Sequence, residues 1–318
     1  MTCLASRRFF SILTHFQPKF DPGFVVKNDN IVQRFYCHTA IPSLAPNEDE
    51  IVTLSHNVYE SHKKSQKVPL VLIHGLLGSG KNWGMFAKSF REQRTVMTVD
   101  VRCHGSSPTV PKMDYHLMSQ DIKALMDHYK WKKACILGHS MGGKIAMVLA
   151  LTQPNLVDHL IVADSNPGMS TGGQQMFAII DALAKVRFNH SGALPAARRD
   201  AADQLLSVVK EASVRHYLVM NVQKTNGKYC FRTDPHVIGS NLDTILGFPH
   251  FSEEKAFLGK TLFLGGANSR YISEDTMGDI ERLFPTAGVQ HIPNAGHWVH
   301  SDQPAEFTRR VKQFLGDL

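Results

Sequence analysis

The chain has 318 residues, 43% of them hydrophobic and 20% charged, which is enough for one large domain or a domain with a sizeable insertion. Its formal net charge is +7, but lysine and arginine are scattered rather than gathered in one basic helix, which argues against nucleic-acid binding. The five cysteines lie far apart without a Cys-x-x-Cys pair, and the 17 histidines include no His-Glu-x-x-His pair, so neither a disulfide framework nor a metal site is expected.

The first twenty residues, "MTCLASRRFFSILTHFQPKF", carry Arg7, Arg8 and Lys19 and no acid. Their apolar residues could share one helical face, which is typical of a mitochondrial transit peptide and not of a secretory signal with a long uncharged core. We therefore expect a transit peptide over residues 1–36, removed near Tyr36, and a mitochondrial protein. A disordered tail or an amphipathic segment on a membrane surface is the alternative. No apolar run reaches the roughly 18–20 residues of a transmembrane helix.

Strand and helix patterns alternate over the next part of the chain. "IVTLSHNVYE" predicts an edge strand, and "VPLVLIHG", "TVMTVD", "ACILGHS" and "HLIVAD" predict buried strands, with helices at "NWGMFAKSFREQ", "YHLMSQDIKALMDHYK" and "MGGKIAMVLALTQ". This rhythm favours an α/β fold with a doubly wound, mostly parallel sheet. The strands then end at one edge of the sheet, just past His74, Asp100, Ser140 and Asp164, where functional loops belong.

The alternation breaks from about 168 to 255, where helical patterns such as "QQMFAIIDALAKV" and "ARRDAADQLLSVV" dominate without buried strands. We interpret 168–255 as a helical cap inserted into a core formed by 45–167 and 256–318. The core resumes with "KTLFLGG", "EDTMGDIERLF", "GVQHIP" and "PAEFTRRVKQFL". The apolar cap residues could line an acyl pocket or form the cap's own core; examples are Met176, Phe177 and Leu183.

The pentapeptide "GHSMG" at 138–142 has the form G-x-S-x-G and stands between an apolar strand and a helix. In that context Gly138 and Gly142 allow a tight, strained turn that projects a nucleophilic serine above the sheet. We therefore predict Ser140 as a nucleophile, with His139 beside it in the motif. The alternative is a serine that caps the helix next to packing glycines.

A serine hydroxyl is a weak nucleophile and needs a base within hydrogen-bond reach. The stretch "NAGHWVH" at 294–300 follows the last short strand, and its His297 is the candidate base, with His300 nearby. The order of a serine followed by a late histidine is typical of α/β-hydrolases.

The acid that should orient this base is less obvious. The strand "TLFLGG" is followed by Asn268 and Ser269, where an aspartate is usual. We favour Asp164, which ends an earlier strand at the same edge of the sheet, although it could instead cap a loop turn. The other candidates are Asp234, Asp243 and Asp275.

The stretch "VPLVLIHGLLGSGKN" nearly fits the phosphate-loop pattern G-x-x-x-x-G-K-[ST]. Asn82 stands where that pattern needs a hydroxyl for Mg²⁺, which argues against nucleotide binding. A loop behind a His-Gly pair instead supplies a backbone donor to the oxyanion of an acyl-transfer serine. We predict the Leu76 N–H as that donor, behind His74 and Gly75, and the Met141 N–H as the second.

The motifs "HGLLGS", "DVRCHGSSP", "GHSMGGKIAM" and "IPNAGHWVHSDQP" together resemble the α/β-hydrolase superfamily, and within it the group of α/β-hydrolase domain-containing protein 11 and related bacterial esterases. The resemblance covers about 45–318. It implies an α/β-hydrolase fold with a helical cap and a triad of Ser140, Asp164 and His297. It further implies a mitochondrial matrix protein that acts on lipid esters such as diacylglycerol, with a link to the lipoylated 2-oxoglutarate dehydrogenase complex.

The expected activity is hydrolysis of a small acyl ester by a serine esterase or lipase, through an acyl-enzyme and without a metal or organic cofactor. A thioesterase or an acyltransferase would use the same triad. A non-catalytic hydrolase fold that binds a partner protein is the alternative from another class. Epoxide hydrolases and haloalkane dehalogenases of this fold need an aspartate at the nucleophile position, so Ser140 argues against both.

Overall fold

The computed structural model describes residues 25–28, 31–34, 50–62, 65–170, 172–188 and 192–318. Within these ranges the strands are β1 (Val25–Asn28), β2 (Ile31–Arg34), β3 (His56–Tyr59), β4 (Leu70–Ile73), β5 (Val96–Val99), β6 (Ala134–His139), β7 (Val157–Ala163), β8 (Val222–Thr225), β9 (Lys228–Phe231), β10 (Lys260–Gly266) and β11 (Ala287–Ile292). The helices are α1 (Gly84–Phe90), α2 (Tyr115–His128), α3 (Met141–Thr152), α4 (Gly173–Lys185), α5 (Leu194–Gln204), α6 (Ala212–Val219), α7 (Pro235–Ser240), α8 (Leu242–Leu246), α9 (Glu274–Leu283), α10 (Val299–Asp302) and α11 (Pro304–Leu315).

Nine of the described strands form one sheet in the order β1-β2-β3-β5-β4-β6-β7-β10-β11. The pairs from β5 to β11 are parallel, whereas those from β1 to β5 are antiparallel. The chain passes from β4 to β5 on one side and then to β6 on the other, so a crevice opens beyond the ends of β4 and β6. The predicted doubly wound, mostly parallel sheet is confirmed.

Helices cover both faces of the sheet, and successive side chains of each strand point to opposite faces, so both sets of side chains are buried. Val71 and Ile73 of β4 face a core shared with α2 and α3. Leu70 and Leu72 face a second core shared with α1 and α11. Burial on both faces explains why the central strands read as continuous apolar runs and not as alternating ones.

Residues 168–255, which we call the cap, hold helices α4 to α8 and the antiparallel hairpin β8–β9. The sequence patterns described above do not indicate this hairpin. Its local signal is an Asn226-Gly227 turn, with φ of 51° and 79°, but the strand before the turn, VQKT, has only one apolar residue. Of the apolar residues considered for an acyl pocket, Leu183 is buried and Phe177 is 42% exposed. The cap boundaries stay a prediction.

Strands β1 and β2 fall within residues 1–36, and the remainder of that segment lies outside the described residues. Because β2 pairs with β3, the expectation of an edge strand at 51–60 is wrong, and β1 takes the edge instead. Processing near Tyr36 would remove both strands and return β3 to the edge. In the described ranges every helix is too short or too polar to cross a bilayer.

Candidate active site

Ser140 stands at a sharp turn between a strand and a helix. β6 ends at His139 and α3 begins at Met141, and Ser140 between them has φ 53° and ψ −119°. A positive φ is unfavourable for a residue with a side chain and is typical of a nucleophile elbow. A Cβ atom at Gly138 would collide with the backbone of Gly142, and one at Gly142 would collide with carbonyl oxygens at the end of β4. Glycine at both positions therefore lets the elbow pack on the sheet.

The His297 ring lies between Ser140 and Asp164. Its Nε2 is 3.1 Å from Ser140 Oγ, and its Nδ1 is 2.7 Å from Asp164 Oδ2. An ionised carboxylate can only accept a hydrogen bond, so in the neutral imidazole Nδ1 carries the proton and Nε2 can accept the serine proton. The three side chains come from the ends of β6 and β7 and from the loop after β11, at one edge of the sheet.

Asp164 is fully buried, and both of its oxygens have hydrogen-bond partners. Oδ1 accepts from the Gly266 N–H at 3.0 Å, and Oδ2 accepts from the Ser269 hydroxyl at 2.6 Å as well as from His297. Ser269 lies in the loop after β10, where the sequence has no aspartate. The end of β10 and the loop after it therefore supply hydrogen-bond donors to the Asp164 carboxylate and do not supply the acid of the triad. Sequence reasoning missed this, because the partners are 102 and 105 residues away from Asp164 along the chain.

The other aspartates considered as the acid do not contact His297 in the described structure. Asp234 caps α7 by accepting from the His236 N–H at 2.9 Å. Asp243 and Asp275 are exposed in the first turns of α8 and α9. Each of the three stands at a helix start, where a carboxylate interacts favourably with the helix dipole.

Neighbouring rings hold the imidazole of His297 in place. Tyr271 stacks on it with ring centroids 4.2 Å apart, and the His139 ring lies 4.8 Å away. His139 also donates from Nε2 to the His297 carbonyl at 2.8 Å. His300 is buried, with its ring 4.7 Å from those of His139 and Trp83, and burial lowers its pKa to about 3. His300 therefore belongs to the packing behind the candidate base.

The Leu76 N–H lies on a loop pressed against the candidate nucleophile. A Cβ atom at Gly75 would stand 3.3 Å from Ser140 Cβ, so the missing side chain lets the loop approach. The Gly75 carbonyl accepts from His74 Nδ1–H at 2.8 Å, and across a trans peptide the N–H points opposite to the carbonyl. In the described part of the chain the Leu76 N–H has no acceptor. Met141 begins α3, where N–H groups lack an intrahelical acceptor.

Two buried histidines support the same loop as neutral acceptors. His74 Nε2 accepts from the Val101 N–H at 3.1 Å, and His104 Nε2 accepts from the Leu77 N–H at 3.0 Å. Burial lowers the pKa of His74 to about 4 and that of His104 to about 3. Since a protonated imidazole has no acceptor, both bonds require the neutral rings that burial favours.

The rest of the glycine-rich loop binds groups of the protein itself. The Gly80 N–H donates to Asp100 Oδ1 at 2.7 Å, and the Ser79 N–H donates to Asn82 Oδ1 at 2.7 Å. Gly80–Trp83 forms a short 3-10 helix that leads into α1. Asn82, the residue that breaks the phosphate-loop pattern, thus caps a helix start.

A groove of about 540 Å³ lies between the loop after β4, helix α6 and the loop after β11, and its lining includes none of Ser140, Asp164 and His297. Trp298, which follows His297, forms part of its wall with Tyr217, and their ring centroids are 5.8 Å apart. Its size and its mixture of apolar and polar walls fit a lipid-sized ester. Other lining residues are Leu77, Gly78, Met220 and Asn221.

One group of side chains in the described residues has metal-ligand spacing, and it is remote from this site. Cys135, Asp158 and His159 lie at the starts of β6 and β7, at the opposite edge of the sheet. Arg94 donates to Cys135 Sγ at 3.2 Å, which places a positive charge against the cluster. The cluster therefore has no part in the chemistry of Ser140.

Comparison with known proteins defines the class. Residues 68–304 match the alpha/beta hydrolase fold family, and the chain belongs to that family. A solved structure of a marine microorganism esterase superposes with a TM-score of 0.77 at 30% sequence identity, over 83% of this chain and 99% of that one.

Two relatives define a narrower group within this family. The chain is 42% identical to the sn-1-specific diacylglycerol lipase ABHD11 of Danio rerio over 266 residues, which cover 83% of each protein. It is 32% identical to esterase YbfF of Escherichia coli (strain K12), over 78% of this chain and 93% of that one. The predicted resemblance to this group of α/β-hydrolases is confirmed.

Proposed function

We propose that the protein is a serine hydrolase that cleaves carboxylic esters through an acyl-enzyme. The observation that carries the proposal is the continuous hydrogen-bonded line from Ser140 Oγ through His297 to Asp164, with distances of 3.1 and 2.7 Å. It begins at a strained elbow, and Trp298, the residue next to His297, lines a groove large enough for a lipid ester. This is the arrangement that activates a serine for acyl transfer.

In the first half of the reaction, His297 Nε2 takes the proton of Ser140 as Oγ attacks the ester carbonyl. The carbonyl π electrons move to oxygen, and the resulting oxyanion accepts from the N–H groups of Leu76 and Met141. Asp164 stabilises the imidazolium that forms. His297 then returns its proton to the departing alkoxide, which leaves as the alcohol, and an ester of Ser140 remains.

In the second half, water replaces the alcohol. His297 removes a proton from the water, whose oxygen attacks the acyl carbon, and the same two N–H groups hold the second oxyanion. Collapse of this intermediate breaks the bond to Ser140 Oγ, which regains its proton from His297, and the carboxylic acid is released. The loop after β4 thus donates a backbone N–H to an anion, as a phosphate loop does, but this anion is the transient oxyanion of the reaction.

For the substrate we propose lipid esters of the diacylglycerol type, supported by the name of the 42% identical relative and by the size of the groove. Thioesterase or acyltransferase activity would need the same three residues and differs only in the leaving group or the acceptor. Profiling esters, thioesters and alcohol acceptors of one chain length separates these activities.

A mitochondrial location is proposed from the composition of the first twenty residues alone, and an association with the 2-oxoglutarate dehydrogenase complex from resemblance alone. A fluorescent reporter fused behind residues 1–40 should enter mitochondria, and its exclusion would refute the location. Failure of the complex to co-purify with the catalytically inactive protein would remove the association.

The activity is tested with a fluorophosphonate probe and p-nitrophenyl esters. The wild-type protein should be labelled on Ser140 and should turn over the esters, whereas Ser140→Ala should do neither. Ser165→Ala is a suitable control, since Ser165 is equally close to the sheet edge but buried away from the groove. A folded wild-type protein that the probe does not label would refute the serine hydrolase proposal.

A further inference from the structure

Two side chains of the cap donate hydrogen bonds to the loop that carries Leu76. Tyr217, in α6, donates from Oη to the Leu76 carbonyl at 2.9 Å. Asn221, just after α6, donates from Nδ2 to the Leu77 carbonyl at 2.5 Å. Both bonds join parts of the chain more than a hundred residues apart, with separations of 141 and 144 residues. The cap is therefore fastened to this loop at two successive carbonyl groups.

The core holds the same backbone from the other side. The peptide group between Leu76 and Leu77 makes two hydrogen bonds. Its N–H, that of Leu77, donates to His104 Nε2 at 3.0 Å, and its carbonyl, that of Leu76, accepts from Tyr217. The preceding peptide group bears the Leu76 N–H, and its carbonyl, that of Gly75, accepts from His74 Nδ1–H at 2.8 Å. Each peptide plane that flanks Leu76 is thus fixed by hydrogen bonds, one plane by His74 next to it and the other by His104 and Tyr217.

Leu77 gives a physical reason why such fixing is needed. Its φ is 60°, in the left-handed region that a residue with a side chain enters at a cost of about 1 kcal/mol or more. A loop with this strain and without tertiary partners would relax by rotating the peptide between Leu76 and Leu77. That rotation would release one of the two peptide planes that flank Leu76, so the orientation of the Leu76 N–H beside Ser140 would be less restricted.

We infer that Tyr217 and Asn221 are positioning residues for the oxyanion hole, which is complete only when the α6 segment of the cap is docked on the loop after β4. The inference rests on the proposed function, because it takes the Leu76 N–H as an oxyanion donor. Neither side chain touches the reacting atoms; each acts through the backbone of the loop.

The groove links this arrangement to substrate binding. Tyr217 and Asn221 line the 540 Å³ groove together with Trp298. An ester bound there contacts the side chains that hold the oxyanion loop. The groove and the oxyanion loop therefore share these two side chains, whose hydrogen bonds act on the loop backbone and so on the transition state.

The test compares Tyr217→Phe with Tyr229→Phe. Tyr229 is the matched control, because its hydroxyl also donates to a carbonyl within the cap, that of Gly192 at 2.5 Å, but does not reach the oxyanion loop. Complete loss of an oxyanion donor lowers kcat by about 10²–10³-fold. Since Tyr217→Phe misdirects the donor without removing it, we expect a loss of about 10-fold or more in kcat with little change in KM. Tyr229→Phe should keep the wild-type kcat.

A trifluoromethyl ketone analogue of the substrate supplies a readout that cap stability alone would not change. Ser140 Oγ adds to its carbonyl carbon, the serine proton moves to His297, and the carbonyl oxygen becomes an oxyanion held as in the transition state. In Tyr217→Phe the affinity for this ketone should fall by the same factor as kcat/KM. Affinity for the matching methyl ketone, which binds without forming the adduct, should not change. Asn221→Ala is measured in the same way, so that the inference stays testable if one variant does not fold.

Wild-type kcat and wild-type trifluoromethyl ketone affinity in the folded variants would overturn the inference. So would an equal loss in Tyr217→Phe and Tyr229→Phe that follows their melting temperatures, because the cap would then contribute stability only. A wild-type protein without ester turnover gives a different result, since it would refute the proposed function itself.

Discussion

Replacing Asp164 with asparagine keeps the size of the side chain and converts one acceptor into a donor. The amide oxygen has to take the Oδ1 position, because the Gly266 N–H donates there at 3.0 Å. The NH₂ group then takes the Oδ2 position, 2.7 Å from His297 Nδ1 and 2.6 Å from Ser269 Oγ. It can only donate, so Nδ1 of His297 has to accept, and the imidazole proton moves to Nε2.

An imidazole with its proton on Nε2 cannot act as the base for Ser140, because Nε2 is the nitrogen that lies 3.1 Å from Oγ. The corresponding change in a serine protease triad lowers kcat about 10⁴-fold through the wrong tautomer. We expect Asp164→Asn to lower kcat here by about 10³–10⁴-fold. That factor corresponds to about 4–5.5 kcal/mol of lost transition-state stabilisation.

The measurement is p-nitrophenyl ester turnover at neutral pH on protein whose folding is checked by circular dichroism and melting temperature. Asp234→Asn is the matched control, since Asp234 caps α7 and asparagine caps a helix equally well. The control should keep its kcat within about threefold. If Asp164→Asn retained more than about a tenth of the wild-type kcat, the tautomer argument would be wrong.

Two further predictions concern stability. His74, His104 and His300 have pKa values lowered by burial to between about 3 and 4, from an ordinary 6.5, so the unfolded chain binds more protons below pH 6.5 and stability falls as the pH drops from there towards pH 4. The free energy of unfolding, measured with urea, should be lower at pH 5 than at pH 7 by on the order of 5 kcal/mol, and equal urea midpoints at the two pH values would contradict the assignment of neutral rings. Lys144 is buried, and its Nζ donates at 2.6–2.7 Å to three carbonyl oxygens of the cap, those of Gly168, Leu246 and Gly247. Lys144→Met should lower the free energy of unfolding by about 2–4 kcal/mol and should speed proteolysis of the cap, whereas Lys185→Met at an exposed site should change it by less than about 0.5 kcal/mol; protease resistance equal to the wild type would argue against this role as an anchor.

The fold could be predicted because its elements are local patterns. Buried strands such as β4 and β6 read as short apolar runs, and α2 reads as an amphipathic helix with an aspartate cap at Asp114. The hairpin β8–β9 lacks such a pattern, because β8 has a single apolar residue, both strands are only four residues long, and the Asn226-Gly227 turn is its one clear signal. The position of β3 inside the sheet depends on a pairing that no local pattern contains.

The amino-acid sequence by itself determined the class of protein and the candidates for two of the site residues. Ser140 and His297 sit in motifs whose glycines and neighbouring strands are contiguous in the chain, so local chemistry was sufficient to single them out. Only the tertiary structure decided which aspartate lies beside His297. Asp164 is held by Gly266 at the end of β10 and by Ser269 in the loop after it, and hydrogen bonds across a hundred residues leave no periodic pattern in the sequence.

The same reason applies to the loop after β4. Its glycines fit either a phosphate loop or an oxyanion loop, because both present backbone N–H groups to an anion. The fold places Ser140 against Gly75 and pairs the Gly80 N–H with Asp100, and both contacts favour the oxyanion loop. The hydrogen bond from Tyr217 to the Leu76 carbonyl also forms only when the cap packs on the core. The sequence thus indicated a loop rich in backbone N–H donors, and only the packing of the chain set which groups those donors face.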